Sequence, residues 1–533
     1  MLPILASRIK VAANPAAGLT HDYDARGRLS KVTYASGKTF LTDYDVASNR
    51  KHLTYQGGPT ITYTYDPLNR LLNHTDLNGA TIAYTYDALS RRKTLALPNT
   101  VNTAYAYDSA NRLLSLTTKK GATPTLSSFV YTYDELGNRK TMTDPVGLHS
   151  YTYDNLSQLT HADEPTGGTP DVDFLYDAVG NRQQDTRGTT VTPYTPNALN
   201  QYDQVGTTPH LYDADGNLTD DGTATYTYDA ENRLTKVVKG ATTTTFTYDP
   251  FGRRASKTVN GVKTTFFYDG DDLLMEGNED GTQARARYLY GPGIDEPLEM
   301  KRGTTTSYYS ADGLGSIVHL TNASGNITER YTYETFGKLT IKNAGGTEIP
   351  TSAFGNRFTF TGREWDSETG LYYYQKRYQD PRTGRFTSRD PLGYLPDINL
   401  YRYVYNNPTN WVDPTGELVL VGGVAASIII ERLIEAAIKA GLVYLGGMIL
   451  NELIQQLPLT SPALPIAGSS PLEGTICRLD EHPVFGKLTE TVQQPGPHLT
   501  KPRPPGSPDP NSPWWFRLAF VIARILVQLF GKH

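Results

Sequence analysis

The chain has almost no cysteine, since Cys477 is the only one in 533 residues. A single cysteine cannot form an internal disulfide, so the fold does not depend on an oxidising compartment. Apolar residues are also scarce: the hydrophobic fraction is 38%, below the ~45–50% usual for globular domains. A chain this long with so little apolar material is expected to form a repetitive or single-layer architecture rather than several compact cores.

Several functional signals are absent too. The formal net charge of -5 gives no reason to expect a polyanionic partner, so no nucleic acid binding is indicated. Residues 1–10 lack a basic segment followed by a sustained apolar run, and no signal peptide is expected. We find no metal-ligand spacing, nucleophile elbow or glycine-rich phosphate loop. Neither a cofactor nor a metal is therefore predicted.

Tyrosine, by contrast, is abundant, with 37 residues, and much of it precedes aspartate. The first five Tyr-Asp pairs carry aspartates that follow one another at intervals of 21 residues: Asp24, Asp45, Asp66, Asp87 and Asp108. The pattern continues less strictly at Asp134, Asp154, Asp177, Asp213, Asp229, Asp249 and Asp269. A period sustained over this many copies predicts an array of structural repeats.

One copy indicates what each repeat is. Residues 60–65, Thr-Ile-Thr-Tyr-Thr-Tyr, alternate in the period-2 pattern of a strand. Residues 66–69, Asp-Pro-Leu-Asn, are a turn sequence, and residues 70–75 return as a second strand. Each repeat is therefore predicted to be a β-hairpin.

The side chains of these hairpins suggest how they assemble. One face is largely Thr and Ser and the other largely Tyr, whose hydroxyl needs water or a hydrogen bond. We expect a poor sandwich core and favour a single curved sheet, wetted on both faces and wound around a hollow. An extended adhesive β-array, such as a cell-surface adhesin without any processing, is the alternative.

Residues 354–416 form the densest and least repetitive part of the sequence. The characteristic groups are Phe354–Phe358, Gly362–Asp366, Arg377–Pro381, Gly384–Gly393, Asn406–Pro408 and Asp413–Gly416. This run resembles the core domain of the Rhs/YD-repeat family, the bacterial relatives of Tc-toxin C subunits and, more distantly, of teneurins. The resemblance implies a mainly β fold in which YD hairpins form a spiral β-sheet shell, complete or incomplete, around a cargo. A mostly helical C-terminal tail is expected to follow the shell.

The resemblance also implies a catalytic site. Family members carry an aspartyl-protease-like site that releases the C-terminal cargo by a single self-cleavage. The matching residues here are Asp390 and Asp413, each in an intact Asp-Pro-x-Gly group, with Arg377 as the family's upstream arginine. Two carboxylates held close share a proton, so one can polarise water while the other protonates the scissile carbonyl. The alternative is that each aspartate only caps a turn.

The cut is expected near Glu417-Leu418. Family members often have an apolar residue at the position of Glu417, and this departure is expected to shift or slow the cleavage.

The resulting division of the chain has four parts. Residues 1–20 are an N-terminal segment, 21–345 the YD-repeat shell, 346–416 the core, and 417–533 a variable effector region. Within the last part, residues 418–457 and 514–530 are predicted apolar helices separated by Pro-rich linkers. The uninterrupted apolar runs, 418–430 and 440–450, are shorter than the ~18 residues of a spanning helix.

The function expected from this organisation is toxin delivery between bacteria, with two classes of effector in competition. The apolar helices favour a membrane-active tail that contacts lipid through 418–457 and 514–530. An enzymatic, nuclease-like toxin would have Cys477, Asp480, Glu481, His482 and His498 as its available catalytic residue types. The partners implied are the chain's own C-terminal cargo, a cognate immunity protein and a secretion-system adaptor. We expect the protein to be cytoplasmic before export and then secreted or delivered to the cell surface.

Overall fold

The computed structural model describes residues 18–165, 170–394, 397–417 and 419–421. All of them belong to one compact unit, and a second unit, residues 435–526, lies outside the described part. The described part excludes residues 1–17 of the predicted N-terminal segment 1–20, most of the predicted apolar helix 418–457 and all of the one at 514–530. Where it reaches these segments, Thr20 begins a strand, and Leu420–Val421 form a strand and not the predicted helix. Within the described ranges, nearly all regular structure is antiparallel β, as the sequence predicts.

The Tyr-Asp turn explains the repeat at the level of the backbone. The Asp66 carboxylate oxygen Oδ1 accepts hydrogen bonds from the amides of Leu68 (2.9 Å) and Arg70 (3.0 Å). The Asn69 amide donates to the Asp66 carbonyl at 2.9 Å, and Asn69 itself has a φ of 59°. The carboxylate thus replaces the backbone hydrogen bonds between strands that are lost at the turn. The left-handed position accounts for the Gly, Asn or Ser three residues after most of these aspartates.

Arginine and tyrosine link each hairpin to the next. Arg70 forms an ion pair with Asp66 Oδ2 at 2.6 Å, and its guanidinium lies 4.7 Å from the ring centroid of Tyr86, in the following repeat. The Tyr86 hydroxyl then donates to the carbonyl of Leu71 at 2.7 Å. The same stacking recurs in Arg28 on Tyr44, Arg91 on Tyr107, Arg112 on Tyr133 and Arg233 on Tyr248. In these five repeats the Tyr-Asp pair therefore closes its own turn and also binds the preceding one.

The tips of these turns point into solvent. Leu68, Leu89, Leu136 and Leu156 occupy the third position of their turns and are between 61% and 76% exposed. The amides of Leu68 and Leu89 donate hydrogen bonds to the capping aspartates, Asp66 and Asp87. Their side chains take no part in the cap.

The hairpins form two large antiparallel sheets, in each of which every strand pairs with the next strand in the chain. The first sheet contains β1 Thr20–Tyr23, β2 Leu29–Thr33, β3 Thr39–Tyr44, β4 Arg50–Tyr55, β5 Thr60–Tyr65, β6 Leu71–Thr75, β7 Thr81–Tyr86, β8 Arg92–Ala96, β9 Val101–Tyr107, β10 Leu113–Lys120, β11 Thr125–Tyr133, β12 Arg139–Thr143, β13 Leu148–Tyr153, β14 Leu159–Asp163, β15 Val172–Tyr176, β16 Arg182–Arg187, β17 Thr190–Pro196, β18 Tyr202–Val205 and β19 Thr208–Pro209.

The second sheet contains β20 Leu211–Tyr212, β21 Leu218–Asp220, β22 Thr225–Tyr228, β23 Leu234–Lys239, β24 Thr242–Tyr248, β25 Arg254–Val259, β26 Val262–Asp269, β27 Asp272–Gly277, β28 Ala284–Tyr290, β29 Pro297–Arg302, β30 Thr305–Ala311, β31 Ile317–Thr321, β32 Ile327–Tyr333, β33 Leu339–Asn343 and β34 Glu348–Ile349. A smaller sheet follows, formed by β35 Glu364–Asp366, β36 Leu371–Tyr374, β37 Arg377–Asp380 and β38 Arg385–Phe386, and then the pair β39 Trp411–Val412 and β40 Leu420–Val421. Single 3₁₀ turns lie at Phe360–Gly362 and Val404–Asn406.

The two large sheets pack against each other, which the sequence analysis did not expect. Ile61 and Ile82 of the first sheet are fully buried in one cluster with Phe267, Leu289 and Leu298 of the second. Polar bonds cross the same contact: the Tyr55 hydroxyl donates to the Tyr288 carbonyl at 2.8 Å, and the Leu77 amide to Glu299 Oε2 at 2.7 Å. The expectation that both faces are wetted is wrong here, because the Ile and Leu residues within the repeats line one face and tyrosine hydroxyls find backbone partners.

Buried ion pairs fix the small sheet to the second large sheet. Arg254, which is fully buried, pairs with Glu364 at 2.7 Å and also contacts Asp366. Lys257 binds the same Asp366 at 2.7 Å. A buried carboxylate requires such partners, and these ion pairs hold β35 against the second sheet.

The described residues contain neither a candidate membrane span nor a candidate metal site. None of the helical segments there has the length and apolar character needed to cross a bilayer. Nor does this part of the chain bring together three or more His, Cys, Asp or Glu side chains that could hold a metal ion.

The Asp66 cap can be tested by Asp66→Ala. The change removes the acceptor of two backbone amides and the ion-pair partner of Arg70, and we expect the free energy of unfolding to fall by about 1–3 kcal/mol. Asp43→Ala is the matched control, because the Asp43 side chain is 59% exposed and pairs with His52 on the surface; it should cost less than about 0.5 kcal/mol. Urea unfolding checks both, and equal losses would contradict the role of the cap.

Candidate functional site

A tight hairpin places Arg377 at the centre of the candidate site. Arg377 begins β37 directly after the turn at Gln375, which has a φ of 58°. The Arg377 side chain is only 3% exposed, and its guanidinium lies 3.6 Å from the ring centroid of Phe386. Stacking on an aromatic face holds a buried guanidinium in one orientation.

Both predicted aspartates converge on this guanidinium. Arg377 Nη2 lies 2.8 Å from Asp390 Oδ2 and 3.5 Å from Asp413 Oδ2. Residues 23 positions apart in sequence are therefore brought to one nitrogen, together with the predicted arginine. Arg377 was expected in the site as a residue that orients a carboxylate, and the structure brings its guanidinium into contact with both aspartates.

Each aspartate also caps its own turn, so the alternative role suggested by the sequence is present in the same residues. Asp390 Oδ1 accepts the Leu392 amide at 2.8 Å. Asp413 Oδ1 accepts the amides of Gly416 and Glu417 at 2.9 and 3.1 Å. In both residues the Oδ1 atom holds the backbone while Oδ2 faces Arg377, which leaves the carboxylates rigidly oriented.

The chain just before the predicted cut is clamped. The Arg377 Nε atom donates to the Gly416 carbonyl, and Gly416 has a φ of 75°. A Cβ atom at this position would lie 2.6 Å from the Tyr374 carbonyl oxygen and 3.2 Å from the Arg377 nitrogen. Only glycine fits this close approach between two backbones.

Burial dominates the electrostatics of the site. It raises the pKa of Asp390 to about 6, against the lowering effect of Arg377 and with a smaller increase from Asp413. It also raises the pKa of Glu417 to about 7, which Lys376 opposes and Asp390 adds to. Glu417 is 5% exposed. Glu417 is therefore a third buried carboxyl group beside the two aspartates. The sequence marked it only as an unusual residue at the predicted cut and did not predict that it is buried in the site. Its predicted neighbour across the cut, Leu418, lies outside the described residues.

A cavity reaches the site from between the large sheets. Its volume is about 90 Å³, and its lining includes Asp413, Pro414, Thr361 and Asp312. The space is sufficient for a few water molecules with polar partners. No sequence signal marked it, because its walls come from distant strands.

The fold and site define a class: an antiparallel shell of Tyr-Asp hairpins, closed by a small sheet that presents an arginine and two aspartates. The family model described as the teneurin YD-shell matches residues 16–142 and 138–409. The chain therefore belongs to the teneurin YD-shell family and is an Rhs/YD-repeat shell protein, which confirms the resemblance found in the sequence.

The curated relatives include toxins. The tRNA nuclease WapA of Bacillus subtilis (strain 168) is 33% identical over 293 residues, 51% of this chain and 12% of WapA. The toxin protein Tse5 of Pseudomonas aeruginosa is 47% identical over 70 residues, 13% of this chain and 5% of Tse5. The chain thus spans about an eighth of the length of WapA.

Among solved structures, the crystal structure of TcdB2-TccC3 is similar to this chain with a TM-score of 0.62 at 20% identity. The match covers 75% of this chain and 24% of that one. At this identity the likeness establishes the fold alone.

The Gly416 clamp can be tested against a matched glycine. Gly393 also has a positive φ, 65°, but a Cβ there would meet no atom within 4 Å. Gly393→Ala should therefore cost about 1 kcal/mol of backbone strain. Gly416→Ala should cost clearly more, because its Cβ overlaps the Tyr374 carbonyl. Thermal unfolding compares the two variants, and equal costs would contradict the clamp.

Proposed function

We propose that the chain is the shell and processing end of an Rhs-type toxin-delivery protein. In this proposal Asp390 and Asp413 cut the chain once, near Glu417-Leu418, and so release the C-terminal region that follows the cut as an effector. The observation that carries the proposal is the convergence of both carboxylates on Arg377 at the point where Arg377 and Asp413 hold the Gly416-Glu417 backbone.

The chemistry follows from the different surroundings of the two acids. Asp413 accepts two amides through Oδ1 and faces Arg377 with Oδ2, which orients its carboxyl group to polarise a water molecule. Asp390, whose pKa burial raises to about 6, is partly protonated near neutral pH and can donate a proton to the scissile carbonyl. Water adds to the carbonyl carbon, the C–N bond breaks, and a carboxyl and an amine are left at the two new ends.

Arg377 positions both acids and is suited to stabilise negative charge that develops on the oxygen. The cavity at Asp413 is suited to supply the water.

The relatives support a toxin-delivery role. Tse5 is named as a toxin, and WapA as a tRNA nuclease. By this analogy the shell would surround its own C-terminal effector, with an immunity protein and a secretion-system adaptor as further partners, and would be exported after a cytoplasmic stage. An adhesive protein without processing is the rival from another class; in it the buried Asp-Arg-Asp cluster would serve only to hold the turns.

Two effector activities follow from the tail. Its apolar segments, 418–457 and 514–530, favour membrane activity. The names of the WapA relatives favour a nucleic-acid enzyme as the second candidate.

Self-cleavage predicts a separate fragment on a denaturing gel. The 116 residues after Glu417 correspond to about 12–13 kDa when scaled from the 58.8 kDa of the whole chain. The fragment should be absent from Asp390→Asn and from Asp413→Asn. Asp215→Asn, a change in an exposed turn tip, is the control and should cleave like the wild type. An intact wild-type chain, or cleavage in all three variants, would contradict the proposal.

The effector activities can be separated in cells that express the full chain. A membrane-active tail should depolarise the cells and leave nucleic acids intact, whereas an enzymatic tail should degrade or modify RNA or DNA before the membrane potential falls. A potential-sensitive dye and electrophoresis of total nucleic acid measure the two effects. Asp390→Asn, which retains the tail, should prevent either one. Healthy cells with demonstrated cleavage would contradict both activities.

A further inference from the structure

Glu417 is an unusual residue to find beside two acids. Its residue surface is 5% exposed, and its amide is bound to Asp413 Oδ1 at 3.1 Å. Among the described residues no cation forms an ion pair with its carboxylate, and no described group donates a hydrogen bond to it. A buried carboxylate without partners is much less stable as an anion than as a neutral acid.

The charged groups that face Glu417 are already committed elsewhere. They are Lys376, Arg377, Asp390 and Asp413. The Lys376 ammonium donates to the Phe251 carbonyl at 2.9 Å. Arg377 serves both aspartates and the carbonyls of Leu400 and Gly416. Ionised Glu417 would thus add negative charge to a site of buried carboxyl groups whose cations are already engaged.

We infer that Glu417 is a proton-controlled gate on the cleavage site: the backbone at 416–417 stays seated against Asp413 and Arg377 while the Glu417 carboxyl is neutral, and ionisation drives it out. The inference rests on the proposed self-cleavage and adds a specificity-determining residue to it. An ionised carboxylate gains solvation by leaving the pocket, and its departure withdraws the Glu417 amide from Asp413 and the Gly416 carbonyl from Arg377.

The physical consequence is a pH-dependent release. Burial raises the pKa of Glu417 to about 7, so the neutral, seated form dominates below that pH and is lost above it. A neutral side chain at the same position stays seated throughout. Mild acidity therefore favours cleavage of this chain through residue 417. A chain with an apolar residue at that position would lack this effect.

The test compares full-length wild type with Glu417→Gln, a neutral side chain of nearly the same shape. Each chain is made by cell-free synthesis and transferred to buffers between pH 5.5 and 8.5, and the fragment is followed by gel. Asp390 titrates in both chains, so the ratio of their rates isolates residue 417. We expect the cleavage rate of the Gln variant, divided by that of the wild type, to rise about tenfold between pH 6 and pH 8. This is the factor by which the neutral form of a carboxyl group with a pKa of about 7 is depleted over that range. Glu348→Gln, an exposed substitution on β34, should keep a constant ratio to the wild type.

A second measurement does not require cleavage. In Asp390→Asn chains, hydrogen exchange of the amides of Gly416 and Glu417 is compared with and without Glu417→Gln. We expect the two chains to show equal protection of these amides at pH 6. At pH 8 the protection should fall at least severalfold in the chain with Glu417 and stay unchanged in the chain with Gln.

The outcomes distinguish the two ideas. A constant rate ratio in cleaving proteins, or equal protection at all pH values, overturns the gate and leaves the proposed self-cleavage in place. Absence of the fragment from every chain overturns the self-cleavage, while a pH-dependent difference in protection would still support the gate on the backbone.

Discussion

The fold depends on one repeated interaction, in which an aspartate carboxylate replaces the backbone hydrogen bonds lost at a turn. Asp66 holds two amides with one oxygen and Arg70 with the other, and Arg70 then lies over Tyr86 of the following hairpin. A long meander of short strands has few local apolar contacts to set its register. An aspartate cap at every second turn, connected to the next hairpin by such contacts, fixes the register in which the strands pair.

The same chemistry carries over to the site. Asp413 caps a turn with Oδ1, as the repeat aspartates do, but its Oδ2 faces an arginine that a second aspartate also contacts. A structural motif and a candidate catalytic pair are thus built from the same bonds. The turn-cap and catalytic interpretations of Asp-Pro-x-Gly, which the sequence presents as alternatives, are compatible in this geometry.

The repeat itself was predictable because its signals are local. The 21-residue spacing, the strand alternation of residues 60–65 and the turn at Asp66 all lie within one hairpin. The packing of the two sheets was not predictable, because Ile61 and Phe267 share one buried cluster although some 200 residues separate them in the sequence. Family resemblance identified Asp390, Asp413 and Arg377. It did not reveal that the arginine contacts both acids or that Glu417 is buried with them, because burial at this position is created by distant strands.

The exposed turn tips have a consequence for how such shells diversify. The cap uses the backbone amide of Leu68 or Leu89 and ignores its side chain. Mutation can therefore change the exposed side chains at the turn tips one at a time, while the hydrogen bonds between the strands remain unchanged. The row of turn tips is therefore a surface whose side chains are free to vary, and for an engineer it offers evenly spaced attachment points.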